Sequence, residues 1–155
     1  MKEIDAGRML RDNRRICIRM EQHVNRVLAP RGITAVQAQV LLYILDQGPR
    51  GTSLTAIHRT FGYSMATLSG MLKRLREKGY VRAEHCEGDE RCKLLLATEK
   101  GAGDRAALER VIGQAQRQFY SCLSPGELAG LDQMQQKLLA HLSALAQETK
   151  EVSKS

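Results

Sequence analysis

The 155-residue sequence contains no tryptophan, two phenylalanines, three prolines and no long apolar run. No stretch approaches the roughly 18–20 apolar residues of a membrane-spanning helix, so no membrane-spanning segment is expected. The N-terminus, MKEIDAGRMLRDNRR, lacks the apolar core of a secretory signal peptide. The protein is therefore expected to be cytoplasmic, with its four cysteines present as reduced thiols. These are Cys17, Cys86, Cys92 and Cys122.

The sequence also lacks the motifs of the common enzyme classes. It has no glycine-rich phosphate loop, nucleophile elbow, paired-histidine motif or cluster of metal ligands. Its carboxylates fall at helix caps and on polar helix faces, so neither a catalytic site nor a cofactor is expected. His85, Cys86 and Cys92 form an incomplete ligand set for structural zinc, so no metal site is expected either.

Positive charge is what the sequence has in excess. Its 24 lysines and arginines outnumber its 17 acidic residues, which gives a formal net charge of +7 and a pI of about 9.5. Such a balance favours an acidic partner, either nucleic acid or an anionic membrane. The charge alone is also compatible with a role in solubility. Its distribution along the chain has to distinguish these interpretations.

Periodic apolar residues predict two helices in the first third of the chain. A long amphipathic helix is predicted over residues 6–29, ending at the segment APRG. Thr34 and Gln37 have the spacing of a capping box, so a second helix should begin there and end at Gly48. Because the second helix is almost entirely apolar from Val40 to Leu45, it is expected to be buried.

Two shorter helices are predicted next. Leu54, Ile57 and Phe61 give the first of them an apolar face. Gly62 interrupts the pattern, and Ser64 can cap the second helix. The buried stripe of that second helix consists of Leu68, Met71, Leu72 and Leu75. Two short helices joined by a glycine-containing turn match a helix-turn-helix, although an ordinary helical hairpin has the same outline.

The other side of the second short helix supports the DNA-binding alternative. Its N-terminal half is small and hydroxylated and its C-terminal half is basic, an arrangement that a merely solvated surface does not explain. Small residues allow close approach to a major groove, hydroxyls can reach base edges, and basic side chains can contact phosphates. The predicted DNA-contacting residues on and just before this helix are Ser64, Ala66, Thr67, Ser69, Gly70, Lys73 and Arg74.

A β-hairpin is predicted directly after this helix. The runs YVRAEHC and CKLLLAT are typical of strands, and the five residues EGDER between them are expected to form the loop. A hairpin in this position is the wing of a winged helix. Arg91 near its tip is predicted to enter a minor groove, where arginine is favoured. Asp89 is predicted to hold the arginine or the turn in place, and Thr98 to cap the helix that follows.

The segment SMATLSGMLKRLREKGYVRAEHCEGDERCKLLLATEKG resembles the recognition helix and wing of the MarR (multiple-antibiotic-resistance regulator) family. The family signature, D-x-R followed after five residues by L-T, is matched from Asp89 to Thr98, with Ala97 in place of the leucine. GITAVQAQVLLYIL resembles the family's second helix. The resemblance implies a mainly α fold with a small β-hairpin: a winged helix-turn-helix core over residues 34–98, flanked by dimerisation helices over 6–29 and 99–148, in a single domain of residues 1–155.

The resemblance also implies a function. It suggests a homodimeric, sequence-specific repressor of a palindromic double-stranded operator, released by a small hydrophobic or aromatic effector. A sequence-independent architectural DNA binder is the alternative, but it suits a uniformly basic surface better than this mixed one. The effector is expected where dimerisation helices meet the winged core. Candidate residues there are Arg19, Met20, His23 and Tyr43.

The two ends of the chain independently suggest a dimer. Ser124, Pro125 and Glu127 form a strong helix start, after which Leu128, Leu131, Met134, Leu138, Leu142 and Leu145 recur close to heptad spacing. These residues could belong to the protein's own core or pack against a second copy, and the second interpretation is preferred because the winged core is already closed.

The cysteines suggest a redox-responsive regulator as an alternative to an effector-released one. Cys86 and Cys92 bracket the predicted wing loop, where facing residues of a hairpin would lie within reach of a disulfide. Oxidation would then lock the wing. The reactive cysteine of the family's organic-hydroperoxide sensors lies earlier in the first helix, where this chain has Leu10, so Cys17 is not assigned that role.

Overall fold

The computed structural model describes residues 3–86 and 88–154, with the backbone alone for residues 89–92. This part of the chain forms helices and one antiparallel hairpin, which confirms the predicted mainly α fold class. The helices are α1 (Ala6–Leu28), α2 (Ala35–Gln47), α3 (Leu54–Phe61), α4 (Met65–Glu77), α5 (Glu99–Tyr120) and α6 (Pro125–Ser153), and the strands are β1 (Val81–Cys86) and β2 (Asp89–Ala97). Single 3-10 turns, Ala29–Arg31 and Gly48–Arg50, follow α1 and α2.

Polar side chains begin the helices where the sequence predicted. The Thr34 hydroxyl accepts the Gln37 amide at 3.2 Å, and the Gln37 side chain accepts the Thr34 amide at 3.1 Å. Ser124 and Glu127 form the same reciprocal pair at the start of α6. Each box satisfies amides that the first helical turn would otherwise leave without partners. The Ser124 amide and hydroxyl lower the pKa of the Glu127 carboxyl.

The core of the winged part surrounds α2. Val40, Leu41 and Ile44 on α2 are almost fully buried, as are Ile57 on α3 and Leu68 on α4. Burial of apolar side chains of this size is the main stabilising contribution to the fold.

The first turn of α5 lies close against the core. A Cβ added at Gly101 would come within 2.7 Å of the Tyr80 carbonyl oxygen and 3.2 Å of a Leu41 methyl carbon. Only glycine therefore allows this approach without a rearrangement.

The hairpin differs from its prediction at the tip. β2 begins at Asp89, so two residues separate the strands in place of the predicted five-residue loop EGDER. Gly88 has a φ of +81°, which glycine adopts without strain and which suits a tight turn. At its base, the hairpin gains a further antiparallel bridge between Thr52 and Leu95.

The last helix is longer than predicted. The chain divides into two compact units, residues 1–115 and 116–155. Within the second unit α6 continues to Ser153, although the last helix was expected to end near residue 148. No residue of α6 is buried. By contrast, the α5 residues Leu108, Ile112 and Ala115 are buried in the first unit.

No single helix among the described residues has the length and hydropathy to cross a membrane. Residues Ala6–Arg31 and Ala35–Arg50 meet those criteria only as a pair bent by 78°.

Candidate nucleic-acid interface

Helix α4 has one buried face and one open face. Leu68, Leu72 and Leu75 anchor the helix with exposed fractions of 0%, 4% and 0%. The side chains on the opposite face of the helix are accessible to solvent. All seven residues predicted to contact DNA on and just before this helix are among the exposed ones: Ser64, Ala66, Thr67, Ser69, Gly70, Lys73 and Arg74. The core therefore fixes the orientation of a helix whose outer surface is available to a partner.

The turn before α4 holds the helix start in place. Gly62 ends α3 in the left-handed conformation, with a φ of +77°, and its amide donates to the His58 carbonyl. The His58 ring Nδ1 lies 2.5 Å from the Tyr63 carbonyl oxygen, which must be the acceptor. Ser64 then caps the helix by accepting the Thr67 amide at 3.1 Å. Three successive residues of the turn are thus fixed by hydrogen bonds.

The composition of the open face changes along the helix. Near the N-terminus its side chains are small, and a Cβ built at Gly70 meets no heavy atom within 4 Å. The backbone of this half can therefore approach another surface closely. Nearer the C-terminus lie Lys73 and Arg74, neither of which forms an ion pair in the described part of the chain. Their charges remain available to phosphates.

Arg76 extends the basic end of α4, although the sequence analysis did not single it out. It is exposed in the last turn of the helix. Arg76 belongs neither to the apolar stripe nor to the small residues on which the prediction of DNA contacts depended. The two arginines at positions 74 and 76, separated only by Leu75, were a signal that could have included it.

The hairpin contributes charged residues next to α4. Arg82 and Glu84 on β1 form an exposed ion pair, and Lys93 on β2 is exposed. The predicted wing residues Asp89 and Arg91 belong to β2, where the structure describes their backbone but not their side chains. Their predicted roles remain predictions.

Comparison with known proteins shows a similarity to one family. Residues 31–91, which include α2, α3, α4 and β1, match the model of the MarR family. The chain is 24% identical over 138 residues to the transcriptional repressor MprA of Escherichia coli strain K12, with 86% of this chain and 78% of that protein covered. The chain is similar to proteins of the MarR family.

Solved structures of MarR proteins have the same fold. A cysteine-to-serine mutant of E. coli MarR, crystallised with operator DNA, is 25% identical, and the match covers 86% of this chain and 92% of that chain with a TM-score of 0.75. For the S. aureus MepR–DNA complex the identity is 23%, the coverages are 92% and 99%, and the TM-score is 0.75. These similarities support a DNA-binding transcriptional regulator of the MarR type.

The four residues predicted to bind an effector differ in their exposure. Arg19 is exposed, whereas Met20, His23 and Tyr43 are half-buried. Tyr43 makes an edge contact with Phe61, at 5.7 Å between ring centroids. An open groove of about 560 Å³ lies elsewhere, in the second unit. Its lining residues are Tyr120, Pro125, Leu128, Ala129, Leu131, Asp132 and Gln135.

The cysteines correct one expectation and refine another. Cys86 is disulfide-bonded, so the four cysteines are not all reduced thiols, while Cys17 and Cys122 are free. Cys86 and Cys92 were predicted to face each other across the hairpin, but the backbone register does not pair them. His85 pairs with Lys93, and an irregularity then pairs Cys86 with Asp89. The side chain of Cys92 lies outside the described part of the structure.

Two contacts around the turn before α4 were missed by sequence analysis. One is the His58 hydrogen bond to Tyr63. The other is the position of α1 beside this turn: burial raises the pKa of the Tyr63 hydroxyl, and Glu21 and Cys17 of α1 raise it further. A single histidine with no motif around it gave no signal for the first contact. The second joins residues more than forty positions apart and requires the tertiary structure.

Proposed function

We propose that the protein is a homodimeric repressor that binds a palindromic operator through two copies of α4. The observation that carries this proposal is the division of α4 into a buried leucine stripe and an open face that is small and hydroxylated at one end and basic at the other. Helices of this kind enter the major groove with their N-terminal residues against base edges.

The two halves of the open face have different tasks. Thr67 and Ser69 contact base edges, which differ between all four base-pair orientations in the major groove. Ala66 and Gly70 allow the backbone to approach the groove, and the Ser64 cap sets the helix start. Lys73 and Arg74 bind phosphates and fix the register of the helix.

The wing adds a contact beside the major groove. Arg91 enters the adjacent minor groove, and Asp89 orients it or the turn. A guanidinium is favoured there because a narrow minor groove concentrates negative potential. The proposal for these two residues is supported by the family signature from Asp89 to Thr98 and by the position of β2 directly after α4 and β1.

Dimerisation is supported by the surface of α6. Met134, Leu138 and Leu142 are 59%, 55% and 57% exposed, and no residue of this 29-residue helix is buried. In α1, considered separately, Met9, Leu10 and Ile16 are 50% or more exposed. Large apolar side chains at regular helical spacing are expected to be covered by another surface. A second copy supplies an identical helix surface, and a dyad between two copies of α4 matches a palindrome.

Release of the operator is proposed to follow binding of a small hydrophobic or aromatic effector near Met20, His23 and Tyr43, with Arg19 available for an acidic group. The support is the electrostatic proximity of α1 to the turn before α4, which shows in the raised pKa of Tyr63. Glu21 and Cys17 on the same helix act electrostatically on Tyr63 in that turn. A ligand that shifts α1 can therefore change the start of the recognition helix.

Redox control is a second candidate, and it is favoured by the state of Cys86. This wing cysteine is disulfide-bonded while Cys17 and Cys122 are free. A redox-responsive regulator would use Cys86 and Cys92 to restrain the wing, so that oxidation and reduction change its fit to the minor groove.

The experiment that tests the proposed function is selection of DNA fragments by the purified protein, followed by affinity measurements at physiological salt. The selected sites should be inverted repeats, with half-site centres about one helical turn apart. The selected duplex should bind at least ~10³-fold more tightly than a scrambled duplex. A ratio near one would show an architectural DNA binder instead of a regulator that reads sequence.

A further inference from the structure

Lys78 differs from the other cations at the basic end of α4. The other basic side chains near this end are exposed: Lys73, Arg74 and Arg76. Lys78, the residue directly after the helix, is half-buried. Its ammonium group donates to the Gly32 carbonyl and, at 3.3 Å, to the side-chain oxygen of Gln37. Both acceptors lie at the start of α2 or just before it, so this cation is engaged inside the protein.

The chemistry of each group fixes the direction of these hydrogen bonds. An ammonium group has three N–H donors and no acceptor, and a backbone carbonyl only accepts. The Gln37 atom that receives Lys78 also receives the Thr34 backbone amide at 3.1 Å, so it must be the oxygen of the side-chain amide. Gln37 is only 4% exposed, which limits competition from water. Charge-assisted hydrogen bonds of this kind are stronger than those between neutral groups.

The start of α2 is also attached to α1. Asn25 on α1 accepts the backbone amide of Ala35, the first residue of α2, at 2.7 Å. Because a backbone amide only donates, the direction of this bond is fixed as well. The start of α2 therefore holds two other elements through polar contacts, α1 through Asn25 and the end of α4 through Lys78.

The backbone beyond α4 has a second set of partners at the start of α5. Lys100 Nζ donates to the Lys78 carbonyl at 2.6 Å, and the Thr98 hydroxyl donates to the Gly79 carbonyl at 2.5 Å. These bonds satisfy carbonyls that the end of a helix leaves without partners. They do not involve the Lys78 side chain. A variant of Lys78 should therefore keep the helix end folded and lose its link to α2.

We propose that Lys78 is a positioning residue that sets the orientation of α4 relative to α1 and α2, and that it does not bind a phosphate. This inference rests on the proposed function, in which two copies of α4 enter successive major grooves of a palindrome. The leucine stripe determines which face of α4 is buried, but apolar contacts have no preferred direction. The Lys78 hydrogen bonds hold the basic end of α4 at one place against α2.

The expected consequence concerns the spacing of the two half-sites. In the proposed dimer, exposed apolar residues of α1 are covered by the second copy. Asn25 and Lys78 connect α1 to the end of α4 through the start of α2. The separation and tilt of the two recognition helices therefore depend on this connection. Loss of the Lys78 ammonium should make the protein less selective for one half-site spacing.

The test uses operators that differ only in this spacing. The selected operator is compared with versions lengthened or shortened by one central base pair, which moves the half-sites by about 3.4 Å and turns them by about 35°. Lys78→Met removes the ammonium and keeps an unbranched side chain, and Lys78→Arg keeps a cationic donor. Lys73→Met is the matched control for a lysine that binds phosphate. Ile112→Val, in the buried part of α5, controls for a loss of stability.

The measurement is the dissociation constant of each protein–DNA pair over a range of salt concentrations. The unaltered protein should prefer the natural spacing. Lys78→Met should bind the natural operator about two- to tenfold more weakly per protomer, the range of one hydrogen bond. It should lose less on the altered spacings, so that the preference narrows, and its salt slope should not change. Lys73→Met should lower the slope by about one phosphate contact per protomer.

The two remaining variants separate positioning from stability. Lys78→Arg should keep most of the spacing preference, because it retains a cationic donor. Ile112→Val should keep the full preference, although its unfolding midpoint falls. Circular dichroism checks that each variant is folded. If Lys78→Met is not, Lys78→Gln, with a shorter and neutral donor, takes its place with the same expected result.

Several results would overturn the inference. A salt slope reduced as much as in Lys73→Met would mean that Lys78 binds a phosphate. An unchanged spacing preference in Lys78→Met would mean that the hydrogen bonds do not orient α4. A narrowed preference in Ile112→Val would assign the effect to stability, and a Lys78→Arg variant as impaired as Lys78→Met would remove the cationic donor from the account. Failure of the proposed function is a different result, because the unaltered protein would then not distinguish the operator from scrambled DNA.

Discussion

Replacement of Gly70 by alanine should change protein stability and DNA affinity in opposite directions. A glycine inside a helix costs about 0.5–1 kcal/mol relative to alanine, because it loses more backbone freedom on folding. Gly70 lies in the middle of α4, its φ is not positive, and an added Cβ meets nothing within 4 Å. The folded protein therefore offers no steric resistance to alanine. Gly70→Ala should raise the free energy of unfolding by about 0.5–1 kcal/mol.

In the complex, the steric clash with an alanine at position 70 is expected to come from DNA. If the backbone at Gly70 approaches the floor of the major groove, the new methyl group occupies space that the duplex needs. Inserting a methyl group into a close-packed contact costs about 1–3 kcal/mol. The operator dissociation constant should therefore rise roughly 5- to 150-fold for each half-site contact, and both half-sites contribute. The salt dependence should hardly change, because no charge is removed.

The assays are urea denaturation at fixed protein concentration and operator titration at fixed salt. Gly103→Ala is the matched control, because Gly103 lies exposed in α5 and a Cβ there also meets nothing within 4 Å. It should gain similar stability and bind the operator unchanged. If Gly70→Ala binds the operator as well as the unaltered protein does, the face of α4 does not approach DNA closely and the reasoning fails.

Four further predictions concern other parts of the molecule. Leu138→Glu with Leu142→Glu should convert the dimer to a folded monomer in sedimentation; a surviving dimer would remove α6 from the interface. Arg91→Ala should weaken operator binding and reduce the salt slope by about one phosphate contact, and an unchanged slope would reject the minor-groove role. If the wing is redox-controlled, peroxide and dithiothreitol should change operator affinity reversibly, and Cys86→Ser with Cys92→Ser should abolish that response; an equal response in the double variant would reject redox control through these cysteines. The pKa of Glu127 is lowered by the Ser124 cap. The ionised carboxyl therefore stabilises α6 above the ordinary pKa of 4.5, and this stabilisation is lost as pH falls through the lower folded pKa. Acid titration followed by circular dichroism should show a smaller loss of helix in Glu127→Gln than in the unaltered protein, and identical titrations would contradict this prediction.

Features that depend on a few neighbouring residues could be predicted from the sequence. The capping boxes at Thr34 and Ser124 are local hydrogen-bond patterns, and both are present. The open face of α4 follows from helical periodicity and from the leucines opposite to it, and each predicted contact on this helix is exposed. What these residues touch in a complex depends on DNA, so their roles remain proposals.

Features that depend on tertiary structure were missed or misplaced. The hydrogen bond from His58 to Tyr63 exists only because Gly62 turns the chain back between α3 and α4. The hairpin tip is tighter than its composition suggested, because Gly88 adopts a positive φ and β2 starts at Asp89. The end of α6 is mostly polar and has Val152 as its one large apolar residue, so no apolar period indicated that the helix continues to Ser153.

The central claim is that the open face of α4 reads DNA sequence. It is tested most directly by repeating the DNA selection with Thr67→Val and Ser69→Ala beside the unaltered protein, at the same salt concentration. The account predicts that base preference relaxes at one symmetric pair of positions for each variant, while affinity for scrambled DNA stays the same. Identical selected sequences for all three proteins would contradict it.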